Sequence, residues 1–267
     1  MRSFRISLPF SVKKFLPIAI LSGLFTAEIS QAATVNWAAF FDTGIITAGT
    51  PSSAAALQTG NWVQIGYFDS SLGATQSAIN TAVSANAGTV SGTATLAAAF
   101  HTFGSLQINT GLQAGNNGGG FTASSSLSIT SNPGFASQQI YVWALKAANN
   151  TSLSTAEATV TQQAIAYVPA SISAPNGATD AWRFPSSDIS PNPSIELTSL
   201  TTSGTQILAG SFFANANNTS LAAAGFPSSN AALQLSNVVA PVPEPATFAV
   251  GILLAAAAVG VRRRSRR

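Results

Sequence analysis

The charged side chains of this sequence are concentrated at its two ends, so most of its length has to fold on apolar burial and uncharged polar groups. The 267 residues include 11 Lys and Arg and 8 Asp and Glu, a formal charge of +3. Only two basic residues, Lys146 and Arg183, lie between residues 15 and 261. With six acidic side chains, residues 33–240 carry a net charge of −4. Because phosphate binding needs clusters of Lys or Arg, we expect no nucleic-acid partner.

The composition of the middle region favours a folded protein over a disordered one. The sequence has 16 Phe and 4 Trp, residue types that disordered chains lack. It has no Cys, which excludes disulfides, thiolate zinc sites and a cysteine nucleophile. A region of about 200 residues can bury enough surface without such crosslinks.

Residues 1–32 have the pattern of a secretory signal peptide. Four basic residues in the first fourteen positions precede an apolar stretch at 15–27 (FLPIAILSGLFTA). That stretch suits a signal helix and is too short for a stable membrane span. Ser30 and Ala32 place small residues at the −3 and −1 positions, which predicts cleavage between Ala32 and Ala33. The alternative is a buried N-terminal helix.

Residues 241–267 have a second, more distinctive pattern. Pro243, Glu244 and Pro245 form a segment that the two prolines keep extended and accessible. Residues 246–261 (ATFAVGILLAAAAVGV), from Ala246 to Val261, are uncharged and predict a short transmembrane helix in the precursor. A basic cluster follows and is expected to remain cytoplasmic by the positive-inside rule. Its members are Arg262, Arg263, Arg264, Arg266 and Arg267.

This C-terminal order of motif, span and basic end resembles the PEP-CTERM sorting domain of Gram-negative bacteria. The resemblance implies export by the Sec machinery, transient anchoring in the inner membrane and processing by an exosortase-type enzyme. Proteins with this tail are typically associated with extracellular polysaccharide or biofilm, at the cell surface or in the extracellular matrix. A permanent membrane anchor is the alternative. A GPI signal is disfavoured because such tails end in apolar residues.

Residues 33–240 are expected to form one all-β passenger domain, a β-sandwich resembling a jelly roll, with one or two short helices. Short apolar or alternating segments separated by Asn, Gly and Pro indicate strands. These segments are 37–41, 62–68, 121–130, 139–145, 158–168, 194–201, 206–213 and 232–239. Apolar residues at helical spacing predict helices within 70–87 and 93–103. The segments GNWVQIGYF, YVWALKAAN and AWRFP are similar to passengers of PEP-CTERM proteins from Verrucomicrobia-like bacteria.

The sequence contains no catalytic pattern that we can assign. Asp42-Thr43-Gly44 matches one aspartic-protease loop, but the second loop that this chemistry requires is missing. His101 is the only histidine, which excludes a multi-histidine metal site, and we expect it on a helix. No serine lies in a Gly-x-Ser-x-Gly elbow. We therefore predict a protein that is not an enzyme, with no cofactor and no metal.

Two binding hypotheses remain open. Asp180, Asp188 and Glu196 could supply oxygen ligands to calcium, although solvated loop carboxylates are the simpler reading. Trp182 lies in a Pro-rich segment and is the best candidate for an exposed ring that stacks on a sugar, whereas Trp62 and Trp143 are expected in the core.

These observations rank three functions. A structural or adhesive component of an exopolysaccharide matrix or biofilm comes first, and a carbohydrate-binding module using an exposed Trp comes second. A hydrolase comes last, since it would require a cleft that joins His101 to a carboxylate.

Overall fold

The computed structural model describes residues 32–39, 44–49, 57, 60–107, 121–169, 182–188, 194–196, 205–214 and 231–239, which all belong to one compact unit. These residues are mostly β-strands in antiparallel sheets, with few helices. The prediction of a mainly β protein is confirmed at this level. The predicted signal helix and C-terminal span lie outside the described residues.

The secondary structure follows the chain in this order. The strands are β1 (Ala33–Ala39), β2 (Ile45–Ile46), β3 (Trp62–Phe68), β4 (Phe100–Gln107), β5 (Phe121–Leu127), β6 (Tyr141–Ala147), β7 (Val160–Tyr167), β8 (Ser194–Glu196), β9 (Gln206–Ala209), β10 (Ser211–Ala214), β11 (Ala231–Gln234) and β12 (Ser236–Asn237). The helices are α1 (Gln76–Asn86), α2 (Val90–Ala99) and α3 (Leu153–Ala158).

A six-stranded sheet is the centre of the described structure. Its strand order is β12-β7-β6-β3-β4, and β9 also pairs with β7. Every pairing in it is antiparallel. Two smaller sheets accompany it, with the orders β5-β1-β8 and β10-β11-β2. In these, the β1–β8 and β11–β2 pairs are parallel.

The central strands of the six-stranded sheet are buried on both faces, and their side chains alternate between two apolar clusters. On one side, Val63, Ile65 and Val142 pack with residues of the smaller sheets, among them Val35 and Leu233. We call this the sheet-packed face. On the other side, residues of β6 and β7 pack with the helices. This helix-covered face joins Tyr141, Trp143 and Ile165 to Val83 of α1 and Leu96 of α2.

The helices begin at side-chain caps. Thr75, Thr89 and Ser152 each accept a hydrogen bond from a backbone N–H of the first turn of α1, α2 and α3. Each hydroxyl satisfies one of the amide groups that a helix start leaves without a partner. The helix predicted over 70–87 is confirmed in 76–86, while α3 was not predicted because it is too short to show helical periodicity.

The helix predicted over 93–103 is wrong at its end, because Phe100 begins β4. Phe100 and Phe103 contribute to opposite clusters, Phe100 on the helix-covered face and Phe103 on the sheet-packed face. The backbone changes from helix to an extended conformation at Phe100, with φ −90° and ψ 120°. Pairing with β3 therefore prevails over the helical spacing of these aromatic residues.

The strand predicted over 206–213 is two strands in different sheets. Gly210 separates β9, which pairs with β7, from β10, which pairs with β11. Gly210 has φ +88°, and a Cβ there would lie 2.3 Å from the carbonyl oxygen of Gln234. Glycine alone fits this bend, so the chain can pass from one sheet to the other.

Candidate functional site

Trp182 does not form the exposed platform predicted for sugar stacking. Its ring is 5% exposed and belongs to the cluster on the sheet-packed face, beside Phe184. The backbone oxygen of Trp182 accepts hydrogen bonds from Ile140 N and from the side-chain amide of Gln139. This burial contradicts the exposed ring that the sequence predicted, because Trp182 packs in the apolar core. Trp143 is fully buried, as predicted, and Trp62 is partly buried.

The predicted sorting residues lie largely outside the described residues. Pro243, Glu244, Pro245, residues 246–261 and the arginines after them all fall there. Ala33, on the far side of the predicted signal cleavage, is the first residue of β1 and is fully buried. Within the described part of the chain, no helix is both long enough and apolar enough to cross a membrane.

His101 lies on β4, not on a helix, and it is joined to a carboxylate. Its Nε2 atom is 2.9 Å from Oδ2 of Asp69, and its ring stacks on Tyr67 with a centroid distance of 4.7 Å. Asp69 also accepts hydrogen bonds from the backbone N–H and the hydroxyl of Ser71. The hydrogen bonds from Ser71, and to a smaller extent the one with His101, hold the pKa of Asp69 below its usual range. Burial, with Asp69 nearby, raises the pKa of Tyr67.

This cluster does not have the order of a hydrolytic triad. A triad needs a nucleophilic hydroxyl on the imidazole and a carboxylate on its other nitrogen. Here the hydroxyl of Ser71 donates to Asp69, and both His101 and Asp69 are accessible to solvent. The described hydrogen bonds of His101 include no hydroxyl donor. These hydrogen bonds therefore link the start of β4 to the turn after β3 at the protein surface.

Asp188, one of the candidate calcium ligands, holds a turn. Its carboxylate accepts hydrogen bonds from the backbone N–H groups of Ile129 and Thr130 and from the hydroxyl of Ser128. The side chain of Thr130 first, and then these bonds, hold the pKa of Asp188 well below its usual range. Among the described residues, no three acidic or histidine side chains come close enough to bind a metal, and Asp180 lies outside them.

Glu157 of α3 is a half-buried carboxylate on the helix-covered side. Burial raises its pKa, and a hydrogen bond from Nε2 of Gln64 at 2.9 Å acts in the opposite direction. Gln64 is fully buried in β3 and accepts a hydrogen bond from the hydroxyl of Thr102 at 2.8 Å. The three side chains form a chain of hydrogen bonds that connects α3 to two strands.

An open groove of about 620 Å³ lies between α1 and β9 and is the candidate binding site. Helix α1 lines one side with two rows of side chains at i, i+4 spacing, Gln76-Asn80-Ser84 and Ser77-Thr81. Apart from Asn80, which is half-buried, these side chains are exposed. The volume falls in the range of ligand sites in proteins.

The opposite side of the groove comes from the six-stranded sheet. Tyr167 of β7 and Gln206 and Leu208 of β9 line it. Tyr167 is 8% exposed, and Leu208 packs partly against the helix-covered cluster. None of the eight lining side chains in the described part of the chain is charged. The groove thus combines amides and hydroxyls with a small apolar floor.

Hydrogen bonds to two tyrosines fix the amide groups in the groove. Tyr141 donates to Oδ1 of Asn80 at 2.5 Å, and Nδ2 of Asn80 donates to the hydroxyl of Tyr167 at 2.7 Å. Nε2 of Gln76 donates to Oδ1 of Asn80 at 3.1 Å and to the hydroxyl of Tyr141. Burial raises the pKa of both tyrosines, so they are neutral hydroxyls at ordinary pH.

Sequence reasoning missed the groove. One signal could have indicated it: residues 70–145 contain no Lys, Arg, Asp or Glu, yet they include an exposed helix. An exposed helix usually carries charged residues on its outer face. The uncharged outer face of α1 is therefore unusual. Its partners Gln206 and Leu208, more than a hundred residues away along the chain, could not have been found by spacing.

Comparison with known proteins gives no family. No family model matches the chain, and neither a curated protein nor a solved structure is significantly similar to it.

Proposed function

We propose that this chain is the precursor of an exported bacterial surface or matrix protein that is sorted by an exosortase-type system. The observation that carries the proposal is the order of the last 27 residues: Pro243-Glu244-Pro245, an uncharged apolar stretch and five arginines. This order resembles the PEP-CTERM sorting domain. The prolines keep the motif accessible, the apolar stretch can enter a bilayer, and the arginines stay on the cytoplasmic side.

The position of the described structure supports this proposal. The first strand, β1, begins at Ala33, immediately after the predicted cleavage position. At the other end, the backbone oxygen of Val239 accepts a hydrogen bond from Val90, and Val239 precedes the motif that begins at Pro243. Removal of both signals would therefore leave every described strand and helix intact.

We propose a structural or adhesive role for the delivered protein, with a β-sandwich as its scaffold. The sheet-packed face of the six-stranded sheet, with β1 and β5 packed against it, fits a two-sheet sandwich that has helices on the outside. The processing enzyme and the Sec machinery would be its partners during export. Extracellular polysaccharide would be its surroundings afterwards.

Intact mass of the protein recovered from its native host tests the sorting proposal. We expect a product that begins at Ala33 and lacks the arginines from Arg262 onward. Pro243→Ala with Pro245→Ala should block C-terminal processing and leave those arginines in place. Pro241→Ala is the matched control, since it changes a nearby proline outside the motif and should be processed normally. A wild-type product that keeps the arginines would show a permanent anchor instead.

A further inference from the structure

We infer that the groove between α1 and β9 binds an uncharged glycan chain. This extends the proposed function by assigning a ligand class to a site, and it does not depend on C-terminal processing. The groove is lined by the amides of Gln76, Asn80 and Gln206 and by the hydroxyl of Tyr167, with further hydroxyls along α1.

The hydrogen-bonding groups of the groove match those of a sugar. Each sugar hydroxyl both donates and accepts, so its partners must offer both kinds of group close together. In its hydrogen bond to Asn80, the hydroxyl of Tyr167 is the acceptor, which leaves its own hydrogen to donate. Oε1 of Gln76 can accept, and the second N–H of Asn80 can donate. The hydroxyls of the buried residues Tyr141 and Tyr167 hold these amides in place, which reduces the entropy lost on binding.

The absence of charge among the described lining residues favours a neutral ligand over a charged one. Phosphate groups and anionic glycans bind most strongly to Lys or Arg, and basic peptides to carboxylates. None of the lining residues that the structure describes is Lys, Arg, Asp or Glu. Leu208, which is half-buried, supplies apolar contact for the C–H groups of a sugar ring. The groove is also open, so a ligand can extend beyond it, as a polymer must.

Affinity electrophoresis of the full-length protein in detergent tests this inference. The gels contain dextran, galactomannan or barley β-glucan as neutral probes and alginate as an anionic probe. We expect at least one neutral polysaccharide to slow migration more than alginate does. Tyr167→Phe retains the ring but removes the hydroxyl, which is both a donor for the ligand and the acceptor for Nδ2 of Asn80. It should weaken binding about fivefold or more, at least the effect of one hydrogen bond.

A matched pair of variants locates the site. Thr81→Arg places a long charged side chain in the groove and should weaken binding by about tenfold or more. Thr95→Arg makes the same change on α2, away from the groove. The two threonines are equivalent in other respects, because each is exposed and donates to the carbonyl oxygen four residues earlier. Thr95→Arg should therefore bind as the wild type does, and circular dichroism should show both variants folded.

Four results would overturn the inference. Binding that survives Thr81→Arg would place the site elsewhere, and equal loss in Thr95→Arg would indicate a general charge effect. Slowing by alginate alone, or by no polysaccharide, would contradict the ligand class. If Thr81→Arg dissociates a dimer in size-exclusion chromatography while polysaccharide binding is unchanged, the groove binds a second copy of the chain. Because processing is measured by mass, failure here remains distinct from failure of the sorting proposal.

Discussion

The two faces of the six-stranded sheet are buried by different means. On the sheet-packed face, the buried residues of the central strands β3, β6 and β7 are all hydrophobic. These are Val63, Ile65, Tyr67, Val142, Ala144, Ala164 and Ala166, among which Tyr67 alone carries a polar atom, at the edge toward Asp69. On the helix-covered face, the same strands also contribute the fully buried Gln64 and Gln163.

The difference follows from the hydrogen-bonding groups that a packed sheet or a packed helix can offer to a buried polar side chain. A second sheet has its backbone groups paired along its own strands, so it presents mainly side chains to the interface. A helix end presents backbone groups without helical partners. Gln163 uses this property: its Nε2 donates to the carbonyl oxygen of Ala87, the C-cap of α1, at 2.5 Å and to the hydroxyl of Thr93 at 2.9 Å. Its Oε1 accepts from the indole of Trp143 at 2.8 Å.

The largest effect is expected on the sheet-packed face. Ile65→Ala should lower the free energy of unfolding by about 4 kcal/mol, because the methyl groups lost leave a cavity between sheets. Ile65→Val should cost about 1 kcal/mol. Equilibrium urea unfolding of the full-length protein measures both. A cost below that of Ile65→Val for the Ala variant would mean that this face is not packed as described.

A somewhat smaller effect is expected on the helix-covered face. Gln163→Leu keeps the size of the side chain but leaves the indole N–H of Trp143 without an acceptor. We expect a loss of about 2–3 kcal/mol, the cost of buried polar groups left without partners. Gln162→Leu is the control. Gln162 accepts from the backbone N–H of Ala48 and donates to Asn237, but it is only half-buried, so water can replace these bonds and the cost should be less than about 1 kcal/mol. Equal costs would contradict the anchoring role of Gln163.

The smallest effect should depend on pH. Burial raises the pKa of Glu157, so the folded chain holds its proton more tightly than the unfolded chain does. The stability that protonated Glu157 contributes is therefore lost as pH rises through the folded pKa. Glu157→Gln should raise Tm by a few degrees at neutral pH and change it little below about pH 4, where both forms are neutral.

Glu157→Ala provides the contrast to this pH test. It removes the charge but also the acceptor for the buried amide of Gln64, and it should lower Tm at every pH. Thermal unfolding followed by circular dichroism at several pH values measures both variants. A Glu157→Gln variant less stable than wild type at neutral pH would show that the ionised carboxylate is favourable in the fold.

The sequence predicted those elements whose pattern is local. Trp62–Phe68 reads as a buried strand between turn residues, and that strand is present. The structure differs from the prediction where pairing between residues far apart in the sequence determines the backbone conformation. Phe100 has helical spacing with its neighbours but extends to pair with β3, and Gly210 bends one apolar segment into two sheets. Trp182 lies in a polar, Pro-rich context, but tertiary packing buries it.

The charge-free stretch of residues 70–145 has a consequence for how the protein responds to its medium. Dissolved ions screen interactions between net charges, with a Debye length of about 8 Å at physiological ionic strength, and they affect neutral dipoles far less. The polar groups that the described residues of helix α1 and the groove beside it present are amides and hydroxyls. Contacts made by this surface should keep the same strength in fresh water and in brine. A surface that depends on ion pairs would bind more weakly as salinity rises.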